Sequence, residues 1–469
     1  MSEAKRLDAV VIGTGQAGKP LAHALAGAGL STAIIERGRV GGTCIIDGCT
    51  PTKTMIASAR VAHLARRGGE FGVATGPVEV DMATVRKRKR EIVDSWSQGN
   101  RKGLEEEENL ELVFGEASFE APHRIAVRSN DGASRTLDAE KVFVNSGARP
   151  RMPSIPGLDE VDVLDSTSVM EVGEVPRHLV IVGGGFIGLE FGQMFRRFGS
   201  AVTILERAPR LAGREDVDVS EAYAEILEED GIRLCLSVEV AGVESVSGGG
   251  VRVRYRDTGQ DEGEEDEVVE GSHLLVAVGR VPNTDALNVE AAGLETDERG
   301  HLVVNDRLET NVEGIWALGD VNGGPPFTHV SYDDFRVVRD NVLRGREASR
   351  AHRILTYTVF TDPQLGRVGL SEQEARERGY QVRVAKLPMT RVARALETDE
   401  TRGFMKAVVD GETGRILGAT VLGVDGGEVA SLFKVAMMGE LPYTAVRDGV
   451  FSHPTLSESV NNLFMAMDG

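Results

Sequence analysis

The sequence predicts an α/β fold with two Rossmann-like domains and a C-terminal α+β domain. Two observations support this prediction. A strand, a glycine-rich turn, a helix and a second strand follow one another twice, and a strand hairpin with helices comes later. The chain has 469 residues, of which 41% are hydrophobic. This length predicts about three domains, each with its own core.

The first strand–turn–helix–strand unit is DAVVIGTGQAGKPLAHALAGAGLSTAIIER. An apolar strand at residues 9–12 precedes glycines with the spacing GxGxxG, and a second strand ends at a glutamate. Such glycines allow backbone N–H groups to approach a pyrophosphate at the helix N-terminus, and the acid can accept from ribose hydroxyls. The residues expected to bind this dinucleotide are Gly13, Gly15, Gly18 and Glu36.

The second unit is HLVIVGGGFIGLEFGQMFRRFGSAVTILER, with the same order of elements. One GxGxxG motif alone is a weak signal, but strand, helix, second strand and terminal acid are all present here. The residues expected to bind the second dinucleotide are Gly183, Gly185, Gly188 and Glu206. Two complete units predict that two dinucleotides are bound at once.

Two cysteines, Cys44 and Cys49, lie five residues apart in GGTCIIDGCTPTK, directly after the first unit. The chain has only one other cysteine, Cys235, so the pair is not part of a disulfide framework. Zinc binding is an alternative, but two thiols supply half of a structural zinc site. An inert structural disulfide is another. Beside a nucleotide motif, the pair indicates redox catalysis.

A dithiol that receives electrons from an exchanging donor needs a tightly bound redox group as a relay. FAD is the natural choice for the first unit, because a flavin can pass an electron pair to a disulfide. In the segment LETNVEGIWALGD an apolar strand at residues 315–318 is followed by Gly319 and Asp320. An acid at that position can reach the sugar-like chain of a flavin. We therefore expect the flavin domain to be interrupted by the second unit and completed here.

These motifs together resemble the class I pyridine nucleotide–disulfide oxidoreductase family, which includes glutathione reductase, dihydrolipoamide dehydrogenase and mercuric reductase. The two glycine motifs, GGTCxxxxCxPTK, TNVEGIWALGD and HPTLSE occur in the order typical of the family. The resemblance implies an FAD enzyme that passes electrons from NAD(P)H to a disulfide formed by the cysteine pair, and then to an external acceptor.

The resemblance also implies roles for the residues around the cysteine pair. Cys44 corresponds to the thiol that attacks the substrate, and Cys49 to the thiol that faces the flavin. Lys53 corresponds to a lysine beside the flavin N5 that is paired with Glu190. Further contacts to FAD are implied at Gly42, Thr43, Gly319, Asp320 and Thr328. Further contacts to NAD(P) are implied at Arg207 and Gly279.

His453 and Glu458, in the HPTLSE segment, correspond to an acid–base dyad. In the family this histidine reaches across a homodimer interface, which implies a homodimer with a shared active site. A histidine of near-neutral pKa can take a proton from a thiol and return it, and a carboxylate on the other ring nitrogen fixes the tautomer. The alternative is a capped histidine in a turn before the last helix.

The donor and the acceptor are less fully determined by the sequence. The carboxylate of Glu206 favours NADH, since it repels a 2′-phosphate, whereas Arg207 and Arg210 could bind that phosphate, so NADPH remains an alternative. The segments GPPFTHVSYDDF and HPTLSESVNNLF resemble a mercuric-reductase-like group that includes the reactive-chlorine-resistance flavoprotein. The expected acceptor is therefore a thiophilic metal ion, Cu(II) or Hg(II).

Mercuric reductases typically end with a vicinal cysteine pair, whereas this sequence ends FMAMDG, which counts against efficient mercury reduction. Three alternatives to a metal-ion reductase stay open. They are a dihydrolipoamide dehydrogenase, a low-molecular-weight disulfide reductase, and a non-catalytic flavin-binding subunit. His329 could help to hold a metal near the thiols, or it could be a buried polar group bonded to backbone. We predict no resident metal site.

The formal net charge of −20 excludes nucleic acid as a general partner, because binding to a phosphate backbone requires a basic surface. The basic run at residues 86–90 is expected on a solvated helix face, with Val85, Ile92 and Trp96 on the apolar side. The acidic run at residues 261–270 is expected in a surface hairpin loop. No secretory h-region or membrane-spanning stretch is evident, so we expect a soluble, cytoplasmic protein.

The motif order predicts the domain boundaries. We expect an FAD-binding domain at residues 1–150, completed by 276–348, and an NAD(P)-binding domain at 151–275. A dimerisation domain is expected at residues 349–469. It contains KAVVDGETGRILGATVLG, which reads as a hairpin with a glycine-containing turn, followed by helices.

Overall fold

The structure is a computed structural model that describes residues 4–129, 131–247, 249–259 and 265–467. The chain forms two compact units. The first comprises Met1–Thr54, Thr84–Arg151 and Gly279–Arg353, and the second comprises Met55–Ala83, Met152–Val278 and Ile354–Gly469. This division differs from the three predicted domains, which stay a prediction. Part of the acidic run, residues 261–264, lies outside the described residues. Residues 267–270 belong to a strand, Glu267–Gly271, that pairs with its neighbour, so the prediction of a loop over the whole run was wrong there.

The strands follow one another along the chain as β1 (Lys5–Ile12), β2 (Thr32–Glu36), β3 (Leu110–Phe114), β4 (Glu116–Ala121), β5 (Arg124–Arg128), β6 (Ser134–Val144), β7 (Ala148–Pro150), β8 (Val163–Leu164), β9 (His178–Val182), β10 (Ala201–Glu206), β11 (Ile232–Leu236), β12 (Val238–Ser245), β13 (Val251–Asp257), β14 (Glu267–Gly271), β15 (His273–Val276), β16 (Arg280–Pro282), β17 (Ile315–Ala317), β18 (Thr356–Val359), β19 (Gln364–Gly369), β20 (Val382–Pro388), β21 (Phe404–Asp410) and β22 (Ile416–Gly423).

The α-helices are α1 (Gly18–Gly27), α2 (Gly42–Ile46), α3 (Cys49–Arg67), α4 (Met82–Glu106), α5 (Phe186–Phe198), α6 (Val217–Glu229), α7 (Thr328–Arg344), α8 (Glu372–Glu377), α9 (Ala393–Glu397), α10 (Gly426–Met438), α11 (Tyr443–Arg447) and α12 (Ser459–Met465).

The first unit is built on a mixed sheet with β1 near its centre. The strand order is β3-β2-β1-β6-β5-β4, and β17 also pairs with β6. The strands β3, β2, β1, β6 and β17 pair in parallel. Along β1, Val10 and Ile12 belong to one hydrophobic core, whereas Ala9 and Val11 belong to another. Both faces of β1 are buried, which explains its continuous run of apolar residues.

The second unit repeats this arrangement and adds antiparallel sheets. A parallel sheet has the order β11-β10-β9-β15-β8, so β9, α5 and β10 repeat the pattern of β1, α1 and β2. A three-stranded sheet follows with the order β12-β13-β14, and the C-terminal sheet has the order β18-β19-β22-β21-β20. The predicted hairpin is present as β21 and β22. The predicted fold class is confirmed.

The prediction for the basic helix α4 was partly wrong. Val85 is buried, as predicted, but Trp96 is 54% exposed. The buried positions are Met82, Val85, Lys89, Val93, Ser97 and Leu104, so Lys89 of the basic run is buried although the run was expected on a solvated face. Because the buried positions from Met82 to Ser97 recur every three or four residues and shift around the helix toward its C-terminal end, Trp96 falls outside the buried face.

Among the described residues, none of the helices combines the length and the apolar character needed to cross a lipid bilayer.

Candidate active site

The first glycine turn joins the end of β1 to α1 at the carboxyl edge of the parallel strands. Gly13 has φ +102°, and a Cβ there would lie 2.4 Å from the Asn145 carbonyl oxygen. Only glycine fits that position. A Cβ on Gly15 would lie 2.7 Å from Asn145 Oδ1, and Gly18 donates its N–H to the same oxygen at 2.9 Å. Ala17, which precedes α1, supplies no side-chain cap among the described contacts.

Glu36 at the end of β2 lies against this turn. Its Oε2 accepts from the backbone N–H of Thr14 at 3.2 Å and from the Thr14 hydroxyl. Its Oε1 accepts from the Gly38 N–H at 2.8 Å. The structure therefore brings the predicted acid to the turn formed by Gly13 and Gly15.

The second glycine turn has the same geometry. Gly183 has φ +111°, and a Cβ there would lie 2.5 Å from the Ala277 carbonyl oxygen. Glu206 accepts from the N–H of Gly184 through one oxygen and from the N–H of Ala208, at 2.7 Å, through the other. The two carboxylates are thus held in the same way, each by a backbone N–H of its turn and by the residue two positions further on.

The other residues predicted to contact the two dinucleotides, outside the turns themselves, include Gly42, Thr43, Arg207 and Gly279. Gly42 and Thr43 open α2, and a Cβ on Gly42 would lie 2.6 Å from Gly15 Cα. Arg207 is exposed. Gly279 belongs to the first unit, whereas the second glycine turn belongs to the second unit. Its predicted contact with NAD(P) stays a prediction.

The cysteine pair spans a short turn between two helices. Cys44 is half-buried in α2, whereas Cys49 is exposed and begins α3. Neither cysteine forms a disulfide in this structure. A hydrogen bond to Cys49, together with burial, raises the pKa of the Cys44 thiol well above its ordinary value. The two thiols are therefore hydrogen-bonded neighbours in the dithiol form.

Two other side chains of the first unit act on these thiols. The hydroxyl of Thr328, at the start of α7, lies 3.2 Å from Cys49 Sγ and also opposes the rise in the pKa of Cys44. The positive charge of Lys53, one turn along α3, opposes the same rise. Both groups favour the thiolate form that a nucleophile needs.

The predicted flavin-contacting acid, Asp320, follows a turn at Gly319, which has φ +73°. Burial raises the pKa of Asp320, and the Arg280 guanidinium acts against this rise. The turn is held by Asp334, whose Oδ2 accepts from the Gly319 N–H at 2.9 Å. Asp320 lies three residues after the end of β17, at the carboxyl edge of the sheet that contains β1.

His453 and Glu458 form a close pair in the second unit. His453 Nδ1 lies 2.8 Å from Glu458 Oε2 and 3.0 Å from Oε1. The imidazole is 68% exposed. Thr455 fixes the local turn, because its hydroxyl accepts from the Glu458 N–H and donates to the Ser452 carbonyl oxygen. The dyad predicted from HPTLSE is thus present as a hydrogen-bonded pair.

Glu190 lies in α5, two residues after the last glycine of the second turn, and is 7% exposed. Its Oε1 accepts from the Phe360 N–H at 2.8 Å. Lys53 belongs to the first unit and Glu190 to the second, so their pairing stays a prediction.

The structure corrects one interpretation of His329. The side chain is exposed and stacks on Phe327, with ring centroids 5.5 Å apart and an interplanar angle of 13°. It is therefore not a buried polar group. In the part of the chain that the structure describes, no three His, Cys, Asp or Glu side chains cluster to hold a metal ion.

Sequence reasoning missed Asn145 and Ser146, which follow β6 at the carboxyl edge of the sheet. Ser146 Oγ is buried and has no hydrogen-bond partner among the described residues. Polar residues directly after a parallel strand were the available signal, because ligands bind at that edge. The unpaired hydroxyl, the N-terminus of α1 at the glycine turn and the acid Glu36 fit a bound dinucleotide such as FAD.

Comparison with known proteins agrees with this geometry. Residues 7–334 match the family described as pyridine nucleotide-disulphide oxidoreductase. Residues 355–464 match the dimerisation domain of the same family.

Individual proteins are similar over nearly the whole chain. The probable pyridine nucleotide-disulfide oxidoreductase RclA of Escherichia coli (strain K12) is 39% identical, over 98% of this chain and 99% of that protein. A mercuric reductase of Lysinibacillus sphaericus is 34% identical, over 98% of this chain and 82% of that protein.

A solved structure, described as the Cu(II) complex of HOCl-induced flavoprotein disulfide reductase RclA from Escherichia coli, has a TM-score of 0.89 and 38% identity. The match covers 98% of this chain and 99% of that one. The predicted membership is confirmed: the chain belongs to the pyridine nucleotide–disulphide oxidoreductase family and is an FAD-dependent enzyme that uses NAD(P)H.

Proposed function

We propose that the chain passes electrons from NAD(P)H through FAD to a Cys44–Cys49 disulfide and on to a thiophilic metal ion. The observation that carries this proposal is the thiol pair itself. Cys44 and Cys49 share a hydrogen bond, and the Thr328 hydroxyl lies 3.2 Å from Cys49 Sγ. Two electrons and two protons open the disulfide into this pair of thiols. FAD, when bound, supplies the two-electron transfer from nicotinamide to disulfide.

The first unit holds the flavin in this proposal. The turn that lies between Gly13 and Gly18 presents backbone N–H groups to the pyrophosphate, and Glu36 accepts from a ribose. The proposed flavin site is completed by Gly42, Thr43, Gly319, Asp320 and Thr328. In the proposal, Lys53 lies beside the reactive end of the ring system.

The second unit holds the donor. The turn at Gly183, Gly185 and Gly188 binds the pyrophosphate, and Glu206 accepts from two ribose hydroxyls, which favours NADH. Arg207 lines the same site in the proposal.

His453 and Glu458 manage protons at the thiols of a partner subunit. The 2.8 Å contact between His453 Nδ1 and Glu458 Oε2 fixes the tautomer, so that Nε2 accepts a proton from the attacking thiol and later returns it. The match of residues 355–464 to a dimerisation domain supports a homodimer with shared sites. A dithiol that must cycle suits a reducing compartment such as the cytoplasm.

The proposed acceptor is Cu(II) or Hg(II). Thiolates are soft ligands that suit these ions, and similar proteins are named as a mercuric reductase and as a Cu(II) complex of a flavoprotein disulfide reductase. Two Cu(II) ions each take one electron, the Cys44–Cys49 disulfide re-forms, and two protons leave. One Hg(II) ion takes both electrons instead.

The test is NADH oxidation with Cu(II), Hg(II), oxidised glutathione, lipoamide or a quinone as acceptor. Wild type and the Cys235→Ser control, which keeps the pair intact, should show a metal-dependent rate, and Cys44→Ser should lose it. A Cu(I)-specific chelator dye measures the product. Fast Cys44-dependent turnover of lipoamide or glutathione disulfide, without a metal-dependent rate, would contradict the metal assignment.

A second candidate is reduction of lipoamide or of another small disulfide. The observation that favours it is the exposed His453 imidazole on Glu458, because a thiolate leaving group needs a proton whereas a metal ion does not. His453→Ala distinguishes the two functions. It should lower disulfide turnover strongly and leave Cu(II) reduction within about threefold, because no leaving group requires protonation.

A further inference from the structure

The side-chain amide of Asn145 connects the two turns that are proposed to hold FAD. Asn145 directly follows β6 and is 7% exposed. Its Oδ1 accepts from the Gly18 N–H, in the first glycine turn, at 2.9 Å. Its Nδ2 donates to the carbonyl oxygen of Leu318, the residue before Gly319 and Asp320, at 2.7 Å.

The contacts of this amide leave little freedom. A Cβ on Gly15 would lie 2.7 Å from Oδ1, and a Cβ on Gly319 would lie 2.9 Å from Nδ2. The orientation of the amide is fixed as well, because one partner is a donor and the other an acceptor. The N–H that Asn145 accepts is the first of α1, and the residue before this helix, Ala17, has no side chain that could cap it.

We infer that Asn145 is a positioning residue for the flavin dinucleotide, which sets the separation between the pyrophosphate turn and the Gly319–Asp320 turn. This inference rests on the proposed FAD site. A ligand that spans both turns gains its full affinity only if their separation matches its length. A single amide hydrogen-bonded to both turns, and packed against a glycine in each, fixes that separation before the ligand binds.

Substitutions separate this role from general packing. Asn145→Ala removes both hydrogen bonds. Asn145→Asp keeps the size of the side chain and the oxygen that accepts from the Gly18 N–H. However, it places an oxygen instead of an N–H donor beside the Leu318 carbonyl oxygen, and it adds negative charge where a pyrophosphate would lie. Asn145→Ser keeps a small hydroxyl in case the other variants do not fold.

Asn341 offers a matched control in the same unit. Its Oδ1 accepts from the Ala348 N–H at 2.7 Å, and its Nδ2 donates to the Ala348 carbonyl oxygen at 2.9 Å. Asn341→Ala therefore also removes two amide–backbone hydrogen bonds, but they lie between α7 and the segment after it. Its effect on folding should be similar, without an effect on either turn.

Each apoprotein is titrated with FAD and, separately, with ADP. Flavin fluorescence measures FAD binding and calorimetry measures ADP binding. Thermal unfolding of the apoproteins measures their stability. Asn145→Ala and Asn145→Asp should weaken FAD binding about ten- to a hundredfold. ADP reaches only the first turn, so its affinity in Asn145→Ala should fall less. Asn341→Ala should bind FAD within about threefold of wild type.

Two results would overturn the inference. One is FAD affinity in the Asn145 variants equal to that of Asn341→Ala at similar stability. The other is an equal loss of ADP and FAD affinity in Asn145→Ala. A wild-type apoprotein that does not bind FAD would instead reject the proposed function, so the two failures are distinguishable.

Discussion

His453 Nδ1 lies 2.8 Å from Glu458 Oε2, while 68% of the imidazole is exposed. The carboxylate accepts a hydrogen bond from Nδ1–H, which leaves Nε2 as the basic nitrogen on an exposed ring. An exposed base held in one tautomer is suited to act on a group that another molecule presents. This relationship motivates the first prediction.

A mixture of Cys44→Ser and His453→Ala subunits should recover disulfide-reductase activity that neither homodimer has alone. If the base acts across the interface, heterodimers contain one site with both Cys44 and His453 intact. The measurement is NADH-dependent disulfide reduction after the two proteins are unfolded and refolded together. Full activity of wild type in a demonstrated monomer would contradict the shared site.

Glu458→Gln should lower kcat for disulfide substrates about ten- to a hundredfold, because the amide stabilises the imidazolium less well. The control Thr455→Ser keeps the hydroxyl that accepts from the Glu458 N–H and donates to Ser452, and it should remain near wild type. An unchanged kcat and pH profile in Glu458→Gln would show that the carboxylate does not act through the histidine.

Reduction by NADH should produce a long-wavelength charge-transfer band from the Cys49 thiolate against oxidised flavin, and Cys49→Ser should abolish it. Thr328→Val should weaken the band and slow alkylation of the reduced pair about three- to tenfold, since the hydroxyl that favours the thiolate is lost. The measurements are absorbance titration and iodoacetamide kinetics.

Thr54→Val is the control for this prediction. Thr54 donates its hydroxyl hydrogen bond to the Thr50 carbonyl oxygen within α3. Alkylation rates in Thr54→Val should match wild type. Equal rates in wild type and Thr328→Val would show that the hydroxyl does not influence the thiols.

The glycine turns could be predicted from the sequence because their causes are local. Gly13 and Gly183 both have positive φ, and a Cβ at either position would lie too close to a carbonyl oxygen. The glycine motif therefore follows directly from the backbone geometry of the turn. The acids Glu36 and Glu206 follow from the same short unit. His453 and Glu458 are five residues apart, so their pairing also lies within one segment.

Other features depend on contacts between distant segments. Asn145 accepts from Gly18, 127 residues away, and no periodic pattern in either segment indicates that bond. Trp96 lies at an exposed position because the buried face of α4 shifts along the helix.

NADH should give the higher kcat/KM, and Glu206→Ala should narrow the preference about tenfold by removing repulsion of the 2′-phosphate. Arg207→Ala tests the alternative, in which the guanidinium binds that phosphate. The measurement is kcat/KM for both donors in the three proteins. A wild-type preference for NADPH that Arg207→Ala abolishes would reverse the assignment.

The last prediction concerns stability at low pH. His63 lies in α3, and its Nε2 is buried without a hydrogen-bond partner among the described residues. Burial, and then the charge of Arg197, lower the pKa of His63 from 6.5 to about 4. The folded protein therefore keeps this ring neutral, whereas the unfolded chain protonates it near its ordinary pKa.

The sign of the effect follows from proton uptake. Between pH 6.5 and about 4 the unfolded chain binds one more proton at His63 than the folded protein does, so stability falls as the pH falls through this range. Above pH 6.5 both states are neutral and the effect is absent. Because the ring is partly exposed, the expected loss is about 1–2 kcal/mol between pH 7.5 and 4.5.

His63→Gln should remove this part of the pH dependence, and the exposed His352→Gln should keep it. The measurement is the free energy of unfolding in urea at pH 7.5, 6.0 and 4.5, at a fixed FAD concentration. The difference between wild type and His63→Gln should change by about 1–2 kcal/mol in favour of the variant as the pH falls. A constant difference across the three pH values would show that His63 titrates alike in both states.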